Sequence, residues 1–447
     1  MKKLLLVAFL LLSVVTLAAC GKKTVTNEGT TIDFGDIFVK KSKIRVWIDD
    51  EQGDYMKAVI AEFNKKYPNI IVEHQHMGAV DARERLKTFG PSGNGADVFQ
   101  FPHDHLAQAV LEDLVYALPQ STKDLLNARA HELGLSIATV AYDEQAKSFD
   151  PASPNSVERV YAVPMSVESV GLFYNKDLVA TPATTMEAIL TAGAAWNAEE
   201  VGSAGLTRAE QGLYYFNTSS HWADAYFMQP FLSAFDFTPF GEKLNDPSAV
   251  GFADTVDALK FFVEDLKPVV AGTAGVKDTK GGENFEKGLV PYIIAGPWMH
   301  ETYQKANLNY GVAQMPTLNG KEMKTFAGAM MAAVYKYSDN VSDAIKFVEF
   351  LNSDIAMQLQ YEYKTKLPAL KESLLSGVPG VLEDSRMTSM SDQLKTSHPM
   401  PTIPQVTYYW APAETMITEV WNAGKAYAEA AAAAETSYVT LRDLSAN

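Results

Sequence analysis

Glu168 stands inside "VPMSVESVGLFY", an otherwise apolar run over residues 163–174. An ionised carboxylate survives in such surroundings only with a hydrogen-bonding partner. A backbone amide, an arginine, a metal or an incoming ligand would each serve. Two further acidic sites directly follow strand-like segments: Asp49 and Glu51 in "DDEQGD" after "KIRVWI", and Asp104 in "FPHDH" after "VFQF". Ligands of open α/β sheets bind beyond the carboxyl ends of strands, which makes all three candidate binding groups. The competing reading gives Asp54 and Asp104 the task of capping the helices that follow. The two histidines of "FPHDH" have no further His or Cys at ligand spacing, so no metal is expected. A catalytic carboxylate pair would sit about 5 Å apart in a retaining glycosidase and roughly 6.5–9.5 Å apart in an inverting one. Carboxylates that accept bonds from sugar hydroxyls use the same residue types, and spacing in sequence does not separate the two.

Aromatic residues form the second theme. Tyr226 lies in "DAYFMQP", Trp298 in "AGPWMH" and Trp410 in "PQVTYYWAP", each near a proline and at the edge of a segment. A single aromatic is usually core. The turn at Gly296 and Pro297, however, pushes the Trp298 ring past the end of a strand. Flat rings beside convergent carboxylates suit a ligand with an apolar ring face and a rim of hydroxyls, the shape of a sugar. The sequence has no GxSxG, HExxH, Walker A or Gly-rich dinucleotide fingerprint. The expectation is therefore a binding protein that is not an enzyme and needs no cofactor.

These residues need elements to hold them. A chain of 447 residues exceeds one ordinary core and predicts two domains. A net charge of −16 without a Lys/Arg cluster argues against nucleic acid. "KIRVWI" reads as a strand, Met56, Val59, Ile60, Phe63 and Tyr67 recur at helical spacing, and "IIVE" is a second strand. That βαβ unit implies a parallel sheet covered by helices. A helix over residues 81–89 and the strand "VFQF" extend it. The pattern recurs in "LVPYIIAGPW", "NYGVAQMP", "FAGAMMAAVY" and the amphipathic "SDNVSDAIKFVEFLNS". The Ala-rich segment 425–435 favours helix by propensity alone.

At the N-terminus, Lys2 and Lys3 precede an apolar stretch over residues 4–15 and the small residues of "LAACG". This layout predicts a secretory signal over residues 1–19 rather than a spanning helix. "LAACG" resembles the bacterial lipoprotein box, which implies acylation of Cys20, the sole cysteine, and attachment to the outer face of the cell membrane. The polar residues 20–42 read as the lipidated start and a tether.

Several ordered motifs together resemble the maltose/maltodextrin-binding family of carbohydrate receptors that serve ABC importers. They are "KIRVWIDDEQGDYMKAVIAEFNKKYPNIIVEH", "GADVFQFPHDHLAQAVLEDLVYAL", "YAVPMSVESVGLFYNKDLVATPATTMEAI", "FEKGLVPYIIAGPWM", "NYGVAQMPTLNGK" and "MPTIPQVTYYW", spread over residues 43–424. The resemblance implies an α/β, two-lobe periplasmic-binding-protein fold of type II, with a central cleft and hinge crossings near Glu168, residues 326–330 and Glu383. It assigns residues 43–167 and 330–382 to the N-terminal lobe, and 168–329 and 383–447 to the C-terminal lobe. It carries sugar hydrogen bonding onto Glu51, Asp104 and Glu168, with Asp49 and Arg83 beside them, and ring stacking onto Tyr226, Trp298 and Trp410. It also implies a monomer that partners permease subunits in the membrane. Asp49 stands where the best-known members have an amide, Gln52 where they have a lysine, and His105 where they have an arginine. The stacking platform is retained while the polar rim differs.

Overall fold

A computed structural model describes residues 41–272 and 274–445, and the backbone of two short antiparallel strands, Thr24–Asn27 and Thr30–Asp33. Cys20 and the expected signal lie outside the described residues.

The opening βαβ reading is realised. Strand Ser42–Ile48 runs parallel to Ile70–His76, and helix Asp54–Lys66 connects them. Tyr55, Met56, Val59 and Phe63 fill the face that this helix turns to the sheet. Gly53 takes a left-handed φ of 77° just before the helix, and Asp54 provides no side-chain cap. Asp50 does that work instead, accepting from the Met56 amide at 2.9 Å. Strand Val98–Pro102 lies parallel on the other side of Ser42–Ile48. Strand Phe326–Val334 then pairs antiparallel with both Val98–Pro102 and Val163–Ser169. His398–Pro399 completes a six-stranded sheet.

The second sheet has four strands, ordered Phe216–Thr218, Tyr292–Ala295, Gly171–Asn175 and Tyr310–Ala313. Only Val170 separates Val163–Ser169 of the first sheet from Gly171–Asn175 of the second. The apolar run over residues 163–174 is thus two strands serving two α/β lobes. The chain returns along Phe326–Val334, and the pair formed by His398–Pro399 with Phe326 and Ala327 marks a further passage. Pairing between the two long hinge strands shifts register between Met330 and Met331, opposite Pro164 and Ser166. Proline supplies no ladder donor, which suits it to such an irregularity.

At the middle of the return strand, a Cβ on Gly328 would lie 1.8 Å from Cε1 of His103. Glycine is the only residue that lets this ring lie on the strand, where its Nδ1 accepts from the Ala329 amide at 3.1 Å. The Ala-rich helix, Tyr427–Ser445, is more than a product of propensity. It buries Ala430, Ala431, Ala434 and Tyr438, and its Glu435 accepts from the amides of Val250, Gly251 and Phe252, each at 2.9 Å. The second lobe is built partly on this clamp.

Candidate ligand-binding cleft

The first lobe presents the ends of its strands to the cleft. Asp49, just past Ser42–Ile48, is exposed. Its backbone amide donates to Gln100 Oε1 at 2.8 Å, so the next strand fixes this turn. Asp50 points inward and pairs with Lys364 at 2.7 Å. Burial works to raise the Asp50 pKa, but the Lys364 ammonium and the Met56 amide outweigh it and hold the carboxyl below its ordinary range. Lys364 also faces Glu301 of the second lobe at 3.6 Å.

The second lobe contributes rings. Strand Tyr292–Ala295 ends at Gly296, and Trp298 follows in a single 3-10 turn, Pro297–Met299. A Cβ on Gly296 would meet the Trp298 indole at 2.1 Å, so the indole lies back over the bare glycine and stays 39% exposed. Tyr226 opens helix Ala225–Ala234, where the Asp224 side chain caps the Tyr226 and Phe227 amides. Its ring centroid lies 6.3 Å from Trp298 and 6.4 Å from Trp410, the latter at the start of helix Trp410–Ala423. Phe326 backs this group, 6.0 Å from Tyr226 and 6.1 Å from Trp410. Burial pushes the Tyr226 phenol well up, and Glu168 and then Asp104 add to the shift. Both carboxylates therefore lie within electrostatic reach of the Tyr226 phenol.

Glu168 itself is buried, and its Oε2 lies 3.3 Å from Nζ of Lys366. Asp104 is half-buried in the 3-10 turn His103–His105, and helix Leu106–Leu111 after it receives no side-chain cap. That removes the capping explanation for it. Burial lowers the His103 pKa, against the opposing pull of Asp104 and Glu168. Between the lobes, a cavity of about 290 Å³ is lined by Asp49, Glu51, Gln100, Trp298, Lys364 and Lys366, among others. Trp298 joins this polar compartment to the aromatic group around Tyr226.

Of the residues singled out from sequence, Asp49, Glu51 and Trp298 line the cavity, while Asp104, Glu168 and Trp410 gather about Tyr226. Arg83 stands apart. It is buried and committed to Glu112 at 2.5 Å and Glu84 at 2.6 Å. Its place is a first-lobe ion-pair network. Sequence reasoning missed Gln100, Lys364 and Lys366. Nothing in "YEYKTKLPAL" separates these lysines from solvated ones. Among the described residues, no cluster of His, Cys, Asp and Glu could hold a metal, and no helix is long and apolar enough to cross a membrane.

Residues 58–389 match the family model of bacterial extracellular solute-binding proteins. The chain is 28% identical to a galactooligosaccharide-binding protein of Bacillus subtilis, over 91% of this chain and 89% of the relative. It is 26% identical to a maltooligosaccharide ABC transporter solute-binding lipoprotein of Streptococcus pneumoniae, over 95% and 93% of the two chains. In structure it is similar to MalX from Streptococcus pneumoniae in complex with maltopentaose, with a TM-score of 0.75 at 23% identity, covering 89% of this chain and all of that one. It is also similar to a cyclo/maltodextrin-binding protein complexed with maltotetraose, with a TM-score of 0.71 at 23% identity over 90% and 97% of the chains.

Proposed function

The chain belongs to the bacterial extracellular solute-binding proteins, and from that premise we propose that it captures a maltodextrin between its lobes and delivers it to an ABC importer. The observation that carries this reading is the convergence of Trp298, Trp410 and Tyr226 on one side of a cleft with Asp49, Glu51, Asp104 and Glu168 around it. The rings accept the apolar faces of glucose units, and the carboxylates accept their hydroxyls. Residues 43–167 and 330–382 move as one lobe against 168–329 and 383–447, and closure about the sugar gives the permease subunits a new surface to recognise. The receptor acts as a monomer held at the outer face of the membrane by lipid on Cys20. The maltooligosaccharide relative, named a lipoprotein of an ABC transporter, supports that placement. The ligand leaves unaltered.

Titration calorimetry with maltotriose tests this reading. Saturable heat at micromolar sugar is expected, and silence at millimolar sugar removes maltodextrin as the ligand. The relative of Bacillus subtilis favours a second reading, a galactooligosaccharide in the same cleft. A thermal-shift series decides between them, since a ligand at 100 times its Kd stabilises by about 2.7 kcal/mol. Shorter products from maltoheptaose incubated with the protein would establish an enzyme instead.

A further inference from the structure

We infer that Lys366 is the positioning residue for Glu168: it holds that carboxylate aimed at the ligand, and it acts on the sugar through Glu168. This rests on the carbohydrate-binding reading above and adds a residue to it.

Glu168 lies in a strand whose every residue is buried, and Lys366 is the sole hydrogen-bond or ion-pair partner of its carboxylate among the described residues. The two side chains are 8% and 15% exposed, so water screens neither well. Removing one member of such a pair leaves an uncompensated charge in a poorly solvated place. Lys366 also lines the cleft cavity, which puts the pair at its wall.

The backbone explains how the lysine is aimed. Helix Asp354–Lys364 ends at Thr365, which takes a left-handed conformation at φ 51° and ψ 41°. A non-glycine residue in that region is uncommon and needs support from its surroundings. Here Gln304 of the second lobe donates to the Thr365 hydroxyl at 3.0 Å. The reversal at Thr365 sends the flanking lysines to different tasks: Lys364 to Asp50 and Lys366 to Glu168. Immediately after it, the Val167 amide donates to the Leu367 carbonyl at 3.2 Å, tying this segment to the hinge strand beside Glu168. The carboxylate is thus held by a lysine flanked by Leu367, whose carbonyl is bonded to the hinge strand, and by Thr365, whose hydroxyl is bonded to the second lobe.

A double-mutant cycle in the full chain tests this, read as affinity by calorimetry with maltotriose and a galactooligosaccharide. K366M is expected to weaken sugar binding at least tenfold, and K366R to recover most of that loss. In the E168Q background, K366M is expected to change affinity by no more than about twofold, because there is no charge left to hold. E168Q/K366M removes both charges together, so it remains measurable should K366M alone fold poorly. An equal loss in both backgrounds would overturn the proposal in favour of direct ligand contact by Lys366. Unchanged affinity with a lowered melting temperature would overturn it in favour of a purely structural pair. If the wild type binds neither sugar, the carbohydrate reading fails on its own. The pairing is then read from melting temperatures of the unliganded cycle, where additive effects would refute it.

Discussion

The two walls of the cleft meet the same demand by opposite means. The second-lobe wall is made of rings that lean on other rings: Tyr226 touches Trp298, Trp410 and Phe326, and Trp298 remains 39% exposed. The first-lobe and hinge side is made of charges, and the buried ones are already paired, Asp50 with Lys364 and Glu168 with Lys366. An aromatic face tolerates both water and sugar, so it waits without a partner. A buried carboxylate requires compensation before any ligand arrives. On the proposed reading, the aromatic wall contributes affinity with little claim on stability, while the charged wall serves both.

The largest expected effect sets two tryptophans of the second lobe against each other. Trp421 is 2% exposed and stacked 6.5 Å from Trp222 in the lobe core. Trp421→Ala should cost about 3–5 kcal/mol of stability, read by denaturant unfolding. Trp298→Ala should do the reverse. We expect a loss of roughly 2–4 kcal/mol in sugar affinity with the unliganded melting temperature within a few degrees of wild type. A steep fall in that temperature would place Trp298 in the core and end the distinction between the walls.

Asp50→Asn probes the charged wall with a smaller effect. Removing one partner of a fully buried pair costs about 3–5 kcal/mol; here about 2 kcal/mol is expected, because Glu301 still faces Lys364. The sign with pH follows from the lowered Asp50 pKa. A depressed carboxyl stabilises the fold above the unfolded value of about 3.9, and that contribution is lost as pH falls through the lower folded value. Melting curves of wild type and D50N should thus differ most near neutrality and converge under acid. A constant gap down to the acid limit would show that Asp50 acts by shape, through its bond to Met56, rather than by charge.

Much of this molecule is legible in local pattern. Strands Ser42–Ile48 and Ile70–His76 follow from their β-branched and aromatic content, and helix Asp54–Lys66 from a period of 3.6 residues that registers which face is buried. The exposure of Trp298 also follows locally, because Gly296 and Pro297 dictate the turn that carries the ring past the strand. The cap on the first helix was less accessible. The sequence reading gives it to Asp54, whereas beyond the left-handed Gly53 the Met56 amide is bonded to Asp50.

What the sequence determined alone was the set of elements and the kinds of groups at their ends: acids after strands, rings near prolines. The tertiary structure decided which of these groups meet. Arg83 resembled a cleft residue until the fold gave it Glu112, a neighbour 29 positions away. Lys366 had no distinguishing mark until a left-handed threonine turned it toward a carboxylate 198 positions distant. Local propensities act over a few residues, whereas Coulomb attraction and desolvation act through space, and only a folded chain fixes those distances.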